Sequence, residues 1–214
     1  MRSCSEWLCE EVLKYVPHRQ WVFSIPKRLR PYFMTDRKLL SKLSQSAWKV
    51  LSQYLKTGVS YDDATPGAVF AIQTFGEFQN GNPHLHIIAT DGCFNDDGYF
   101  MVGARPCAKD LKYAFRQEVF KFLKKEGKIN DDIIENMMNW HHSGFNIYCG
   151  ETIWPHNQDG MENLARYIIR ASFSKERMTY IPENDSADGT AKVIYQSKDV
   201  KTSKTFDAID WLAQ

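Results

Sequence analysis

Apolar and polar positions change their period several times along this chain, and each change marks an element. From Lys38 to Tyr54 the residues Leu39, Leu40, Leu43, Ala47, Val50, Leu51 and Tyr54 recur in steps of three and four, and Gly58 closes the run. That spacing predicts a helix with one buried stripe. "AKDLKYAFRQEVFKFLKK" repeats it with Leu111, Phe115, Val119 and Phe122, and a shorter helix follows over Asp131–Asn139. Near the start, "EWLCEEVLKYV" sets Trp7, Val12 and Tyr15 among acids and predicts a short helix. "DGMENLARYIIRAS" predicts another, with Leu164, Ile168 and Ala171 on its apolar stripe and an Asp159-x-x-Glu162 capping box at its start.

Between these lie short β-rich runs: "QWVFSIP", stopped by Pro26, then "GAVFAIQTFG", "HLHIIAT", "GYFMVGA" and "GFNIYCG". The second and third flank "EFQNGNP", whose Asn80-Gly81 pair favours a tight hairpin, so they are predicted to pair antiparallel. "MTYIP" and "AKVIYQS" bracket the turn-rich "ENDSADG" as a further hairpin. Helices and strands mix without strict alternation, and no internal repeat or low-complexity linker interrupts them. The expectation is one α+β domain over 1–214, with helices packed on an antiparallel central sheet. Within it, 1–58 forms a helical and basic N-terminal part and 172–214 a C-terminal hairpin extension.

Composition narrows the setting. With 214 residues, 43% of them hydrophobic and 25% charged, the chain can bury a core without covalent staples. Its five cysteines (Cys4, Cys9, Cys93, Cys107, Cys149) are scattered and form no C-x-x-C pair, which fits reduced thiols. No signal peptide or run of membrane-spanning length is present, so a cytoplasmic protein with no membrane partner is expected. The formal net charge of +1 exerts no global pull on a polyanion, and any nucleic-acid contact must be local. Lys27, Arg28 and Arg30 cluster in "IPKRLRPY", whereas the bases of "RQEVFKFLKKEGK" are spaced like the solvated face of a helix.

The sharpest chemical signal is "PHLHI". Strand residues two apart share a face, so His84 and His86 stand side by side while Leu85 points the other way. Such a pair can clamp a divalent metal; it also occurs simply as half-buried imidazoles bonded to backbone. With Asn80 and Gly81 as the turn, Glu77 falls opposite His84, Phe75 opposite His86 and Gln73 opposite Ile88. Glu77 and Gln73 are thus alternative third ligands, with Asn163 a further one, leaving open positions for water or substrate. Imidazole with oxygen ligands suits Mg²⁺ or Mn²⁺, although imidazole alone would accept Zn²⁺. On the later helix Asn163, Tyr167 and Arg170 share a stripe beside the apolar one, which lets Tyr167 lean toward the sheet. A phenol with a pKa near ~10 needs a base or cation to act as a nucleophile at neutral pH, and by itself a helix tyrosine is a packing aromatic. His141 and His142 in "NWHHSGF" read as surface or structural residues.

Four blocks carry a resemblance: "HRQWVFSIPKRLRPYF", "VFAIQTFGEFQNGNPHLHIIATDGCF", "HSGFNIYCGE" and "ENLARYIIRASFSKERMTYI". Taken in order, from about Trp7 to the C-terminus, they resemble the rolling-circle, two-tyrosine insertion-sequence transposases, a branch of the HUH (His-hydrophobic-His) endonucleases. The resemblance implies cleavage of single-stranded DNA at mobile-element ends, a divalent ion held by His84 and His86, and attack by Tyr167 to leave a 5′-phosphotyrosine link. It makes Arg166 and Arg170 phosphate contacts, with Lys27, Arg28 and Arg30 as further DNA-binding candidates. Two departures stand out. Where the family has a second tyrosine one turn on, this chain has Ala171, and Tyr180 lies beyond the helix. Family members also open with a cysteine-rich zinc-binding module and continue past "FDAIDWLAQ", so a shortened, one-tyrosine nuclease domain is expected. Neighbouring readings are a replication initiator or relaxase, an inactive remnant that only binds single strands, and an α+β domain with no nucleic-acid partner.

Overall fold

The computed structural model describes residues 3–76, 81–104, 106–169, 175–197 and 201–212. Contacts within the chain divide it into two compact units, Met1–Thr74 with Asn82–Arg170, and Phe75–Gly81 with Ala171–Gln214.

The first unit is built on strands β1 (His18–Ser24), β2 (Ala68–Phe75) and β3 (Gly81–Thr90), followed by the short strands β4 (Gly92–Phe94) and β5 (Phe100–Val102), and then β6 (Asn146–Ile153). β2, β3, β1 and β6 form a four-stranded sheet in that order, with β1 antiparallel to both β3 and β6. β4 pairs with β5, and its Phe94 also bridges to Thr65, so "GYFMVGA" contributes to a separate two-stranded ribbon and not to the central sheet. The helices are α1 (Cys4–Trp7), α2 (Arg30–Thr35), α3 (Lys38–Thr57), α4 (Ala108–Lys125), α5 (Asp131–Met138) and α6 (Gln158–Ile169). The expected α+β class, an antiparallel sheet with helices packed on it, is what the structure shows.

Alternation divides the sheet's side chains between two cores. On one face Trp21, Phe23, Leu85, Ile87 and Ala89 are fully buried with Leu43 and Leu51 of α3 and Phe115 and Val119 of α4. Phe23 meets Phe115 edge-on, their ring centroids 4.9 Å apart. Burying each such large side chain contributes roughly 1.5–3 kcal/mol, so this face is the main anchor of the unit. Ile88 lies on the opposite face, packed with Leu164, Ala165 and Ile168 of α6 and with Leu8 from the N-terminal segment.

Three local predictions shift. After α1 the chain makes a π-helical turn at Leu8–Val12, which rotates the stripe: Leu8 is buried, while Trp7 and Tyr15 are exposed. In α6 the Oδ1 of Asn157 accepts from the Gly160 amide at 2.9 Å, so Asn157 caps the first turn in place of Asp159. On α4, Phe120 and Leu123 are buried, whereas Phe122 is only partly covered.

A buried polar network ties β1, the end of β3 and β6 together. Arg19 donates from Nε to Asp91 Oδ1 at 2.9 Å and from Nη2 to Asp91 Oδ2 at 2.7 Å. It also donates to the Gly150 carbonyl and the Thr152 hydroxyl, both at 2.6 Å.

The second unit contains β7 (Met178–Ile181), β8 (Lys192–Gln196), β9 (Ser203–Asp207) and α7 (Ala208–Leu212). The predicted β7–β8 hairpin forms, and β9 extends it to three antiparallel strands. Val193, Tyr195 and Trp211 make its small core. Neither β9 nor α7 is evident in the sequence pattern.

Candidate active site

The register of β1 determines what surrounds the histidine pair. Ser24 lies opposite His84 on one side and Asn146 on the other; Val22 lies opposite His86 and Tyr148. Residues directly opposite in a sheet share a face, so two rows cross it: His84–Ser24–Asn146 and His86–Val22–Tyr148. On the other flank the Thr90 amide donates to the Gly67 carbonyl at 2.9 Å. An unbulged antiparallel ladder continued from that bond sets Val69 opposite Ile88, Ala71 opposite His86 and Gln73 opposite His84. The Asn80-Gly81 hairpin register is offset from this one by an even number of residues, so Gln73 belongs to the histidine face in both. Glu77 lies outside the described residues.

The two imidazoles are close and differently held. Their ring centroids are 4.8 Å apart. Nδ1 of His84 sits 2.6 Å from the Asn82 carbonyl, which makes it the protonated nitrogen and leaves Nε2 with a lone pair. In His86, Nδ1 is buried with no hydrogen-bond partner among the described residues. Burial, and then the neighbouring His84, push His86 down to about 4. His84 is lowered as well, mainly by burial, opposed by the bond to Asn82 and reinforced by the charge of Arg30. Both rings are therefore neutral near pH 7, the form that ligates a metal.

α6 brings the third ring. Leu164, Ala165 and Ile168 seat the helix in the cluster that holds Ile88, Val69 and Ala71. This leaves Tyr167 on the helix edge, 45% exposed, with its ring edge-on to His86 at 5.4 Å between centroids. His84, His86 and Tyr167 thus form a chain of rings at the edge of the helix-covered part of the sheet.

The other candidates divide. Arg30 is half-buried, its Nε 3.4 Å from the Ile25 carbonyl, and its charge acts on His84. Lys27 and Arg28 are exposed on the 3-10 turn after β1. Arg166 is exposed and turned along its own helix, 3.8 Å from Glu162 and 3.5 Å from the Asn163 side chain. Arg170 and Ala171 lie outside the described residues. Among the described residues no group of three or more His, Cys, Asp or Glu side chains is placed to hold a metal. Sequence reasoning missed Ser24, Asn146 and the half-exposed Tyr148 on the histidine face; the clue would have been that β1 separates β3 from β6.

The model of the Y2_Tnp family, described as "Putative transposase", matches residues 67–209. The chain belongs to this transposase family. The matched span includes both histidines and Tyr167, and β1 lies ahead of it. No curated protein and no solved structure matches the chain. Among the described residues of this transposase, no helix is long and apolar enough to cross a membrane.

Proposed function

We propose that this transposase nicks single-stranded DNA at mobile-element ends and joins the 5′-phosphate side to Tyr167. The observation that carries the reading is the packing of Tyr167 against His86, which lies beside His84 on one face of β3. A residue contributed by a helix and two contributed by a strand are brought together by folding, and all three are the types that metal-assisted phosphoryl transfer uses.

The histidines fit a divalent ion: His84 Nε2 carries a lone pair, and the buried Nδ1 of His86 has no protein partner among the described residues. His84 and His86 would hold the ion, with Gln73, Glu77, Asn163 or phosphate oxygens completing its shell. Mg²⁺ or Mn²⁺ would supply Lewis-acid polarisation of the scissile phosphate. Tyr167 Oη attacks phosphorus, the bond to the 3′-oxygen breaks, and that oxygen leaves as a hydroxyl after taking a proton. The phenolic proton goes to solvent, which reaches Tyr167 because it is half-exposed. Arg30, whose charge is felt at His84, would neutralise a phosphate there, and Lys27, Arg28, Arg166 and Arg170 would hold the backbone on either side.

Incubation with single-stranded DNA carrying candidate element ends and Mg²⁺ or Mn²⁺ should give a covalent adduct on a denaturing gel. Tyr167→Phe should abolish it, and His84→Ala/His86→Ala should reduce it by at least 100-fold, roughly the scale of lost metal catalysis. An adduct that persists in Tyr167→Phe would sink the nucleophile assignment. DNA binding without any adduct in the unaltered chain would leave a DNA-binding remnant.

A further inference from the structure

Beside the start of β6, the first half of α4 and the 140–146 loop border an open cavity of about 420 Å³ whose lining includes Lys112, Arg116, Trp140, His141, His142 and Asn146. No carboxylate lines it, and among the described residues neither Lys112 nor Arg116 forms an ion pair with one. These two cations are four residues apart on α4 and share its face. The Arg116 guanidinium lies over the Tyr113 ring at 5.2 Å, and its Nε is buried with no hydrogen-bond partner among the described residues. Trp140 is partly exposed, and its indole N–H is already engaged with Asn136 at 3.2 Å, so what it offers the cavity is ring surface. His141 and His142 stack edge-on at 4.4 Å beside it.

Position gives this cavity its meaning. Asn146 ends the row that begins at His84 and passes through Ser24. Two strand spacings separate them, roughly 10 Å. Tyr148, half-exposed two residues along β6, borders the same face. A groove combining cations with aromatic ring surface is the recurring design for gripping single strands, phosphate on the charge and base on the ring.

We propose that this cavity is a second subsite for the single-stranded DNA, taking a backbone phosphate on Lys112 and Arg116 and a base on Trp140. The strand then runs from the cavity along the Asn146 and Tyr148 edge to the histidines. This assignment rests on the DNA-cleaving reading above, but its test does not depend on cleavage.

Binding of fluorescein-labelled oligo(dT) of 20 nucleotides to the full chain is measured by anisotropy in EDTA, across a salt series. Lys112→Ala/Trp140→Ala should weaken binding at least ten-fold and make the slope of log affinity against log salt shallower by about one unit. Arg116→Gln should do likewise with an unchanged melting profile. Affinities within two-fold of the unaltered chain, at unchanged slope, would overturn the subsite. So would binding of inorganic phosphate that the same variants abolish while oligonucleotide binding stays intact, since the cavity would then serve the free ion. Absence of a Tyr167 adduct alongside a variant-sensitive affinity would reject the cleavage chemistry and keep the subsite.

Discussion

A neutral histidine held in a folded protein makes stability depend on acid. His86 is lowered to about 4, against roughly 6.5 in an unfolded chain. Between those values the unfolded state binds more protons than the folded one, so stability should fall as pH drops through that window. His84 is lowered too and adds with the same sign. Melting temperature measured from pH 7 to pH 4.5 should therefore decline, and His86→Gln should flatten part of the decline. Superimposable profiles for the two proteins would contradict the assignment. At this scale the pair was legible because a period of two is visible in three letters, and Leu85 between them is fully buried as the pattern required. Tyr167 was legible only through resemblance: its helical stripe says where it leans, and nothing local says that His86 is what it meets. Arg19 and Asp91 were not legible, being 72 residues apart with no spacing signal between them.

Elements were read well where they pack by periodicity and poorly where they end. α3 has the bounds its stripe implied, while the N-terminal helix lost its register to a π-helical turn that no single residue announces. The central strands also depend on the Arg19–Asp91 network, in which the two residues are 8% and 5% exposed. Asp91→Ala would leave a buried guanidinium unpaired and should cost about 3–5 kcal/mol, read as a lower denaturation midpoint. Arg19→Met/Asp91→Leu removes both charges and should recover most of that loss. A single variant within 1 kcal/mol of the unaltered protein would show that water replaces the carboxylate there.

For the whole molecule, the antiparallel α+β plan followed from strands and helices that mix without alternating. The second unit was harder, because "TSKTFD" has no clear alternation and its strand forms only by pairing with β8. The fold's main economy lies in β3, whose neighbouring residues serve opposite faces. Leu85, Ile87 and Ala89 hold the large core, Ile88 seats α6, and His84 and His86 face Tyr167's side of the sheet. Saturation mutagenesis of 84–89, scored separately for soluble yield and for DNA joining, should split accordingly. Positions 85, 87, 88 and 89 should lose both scores, and 84 and 86 only the second. Deleting one residue should erase both at once, because it turns every side chain over. If the histidines carry the proposed chemistry, a lineage can silence it one letter at a time and keep an intact shell, whereas a slipped frame inside the strand leaves nothing to inherit.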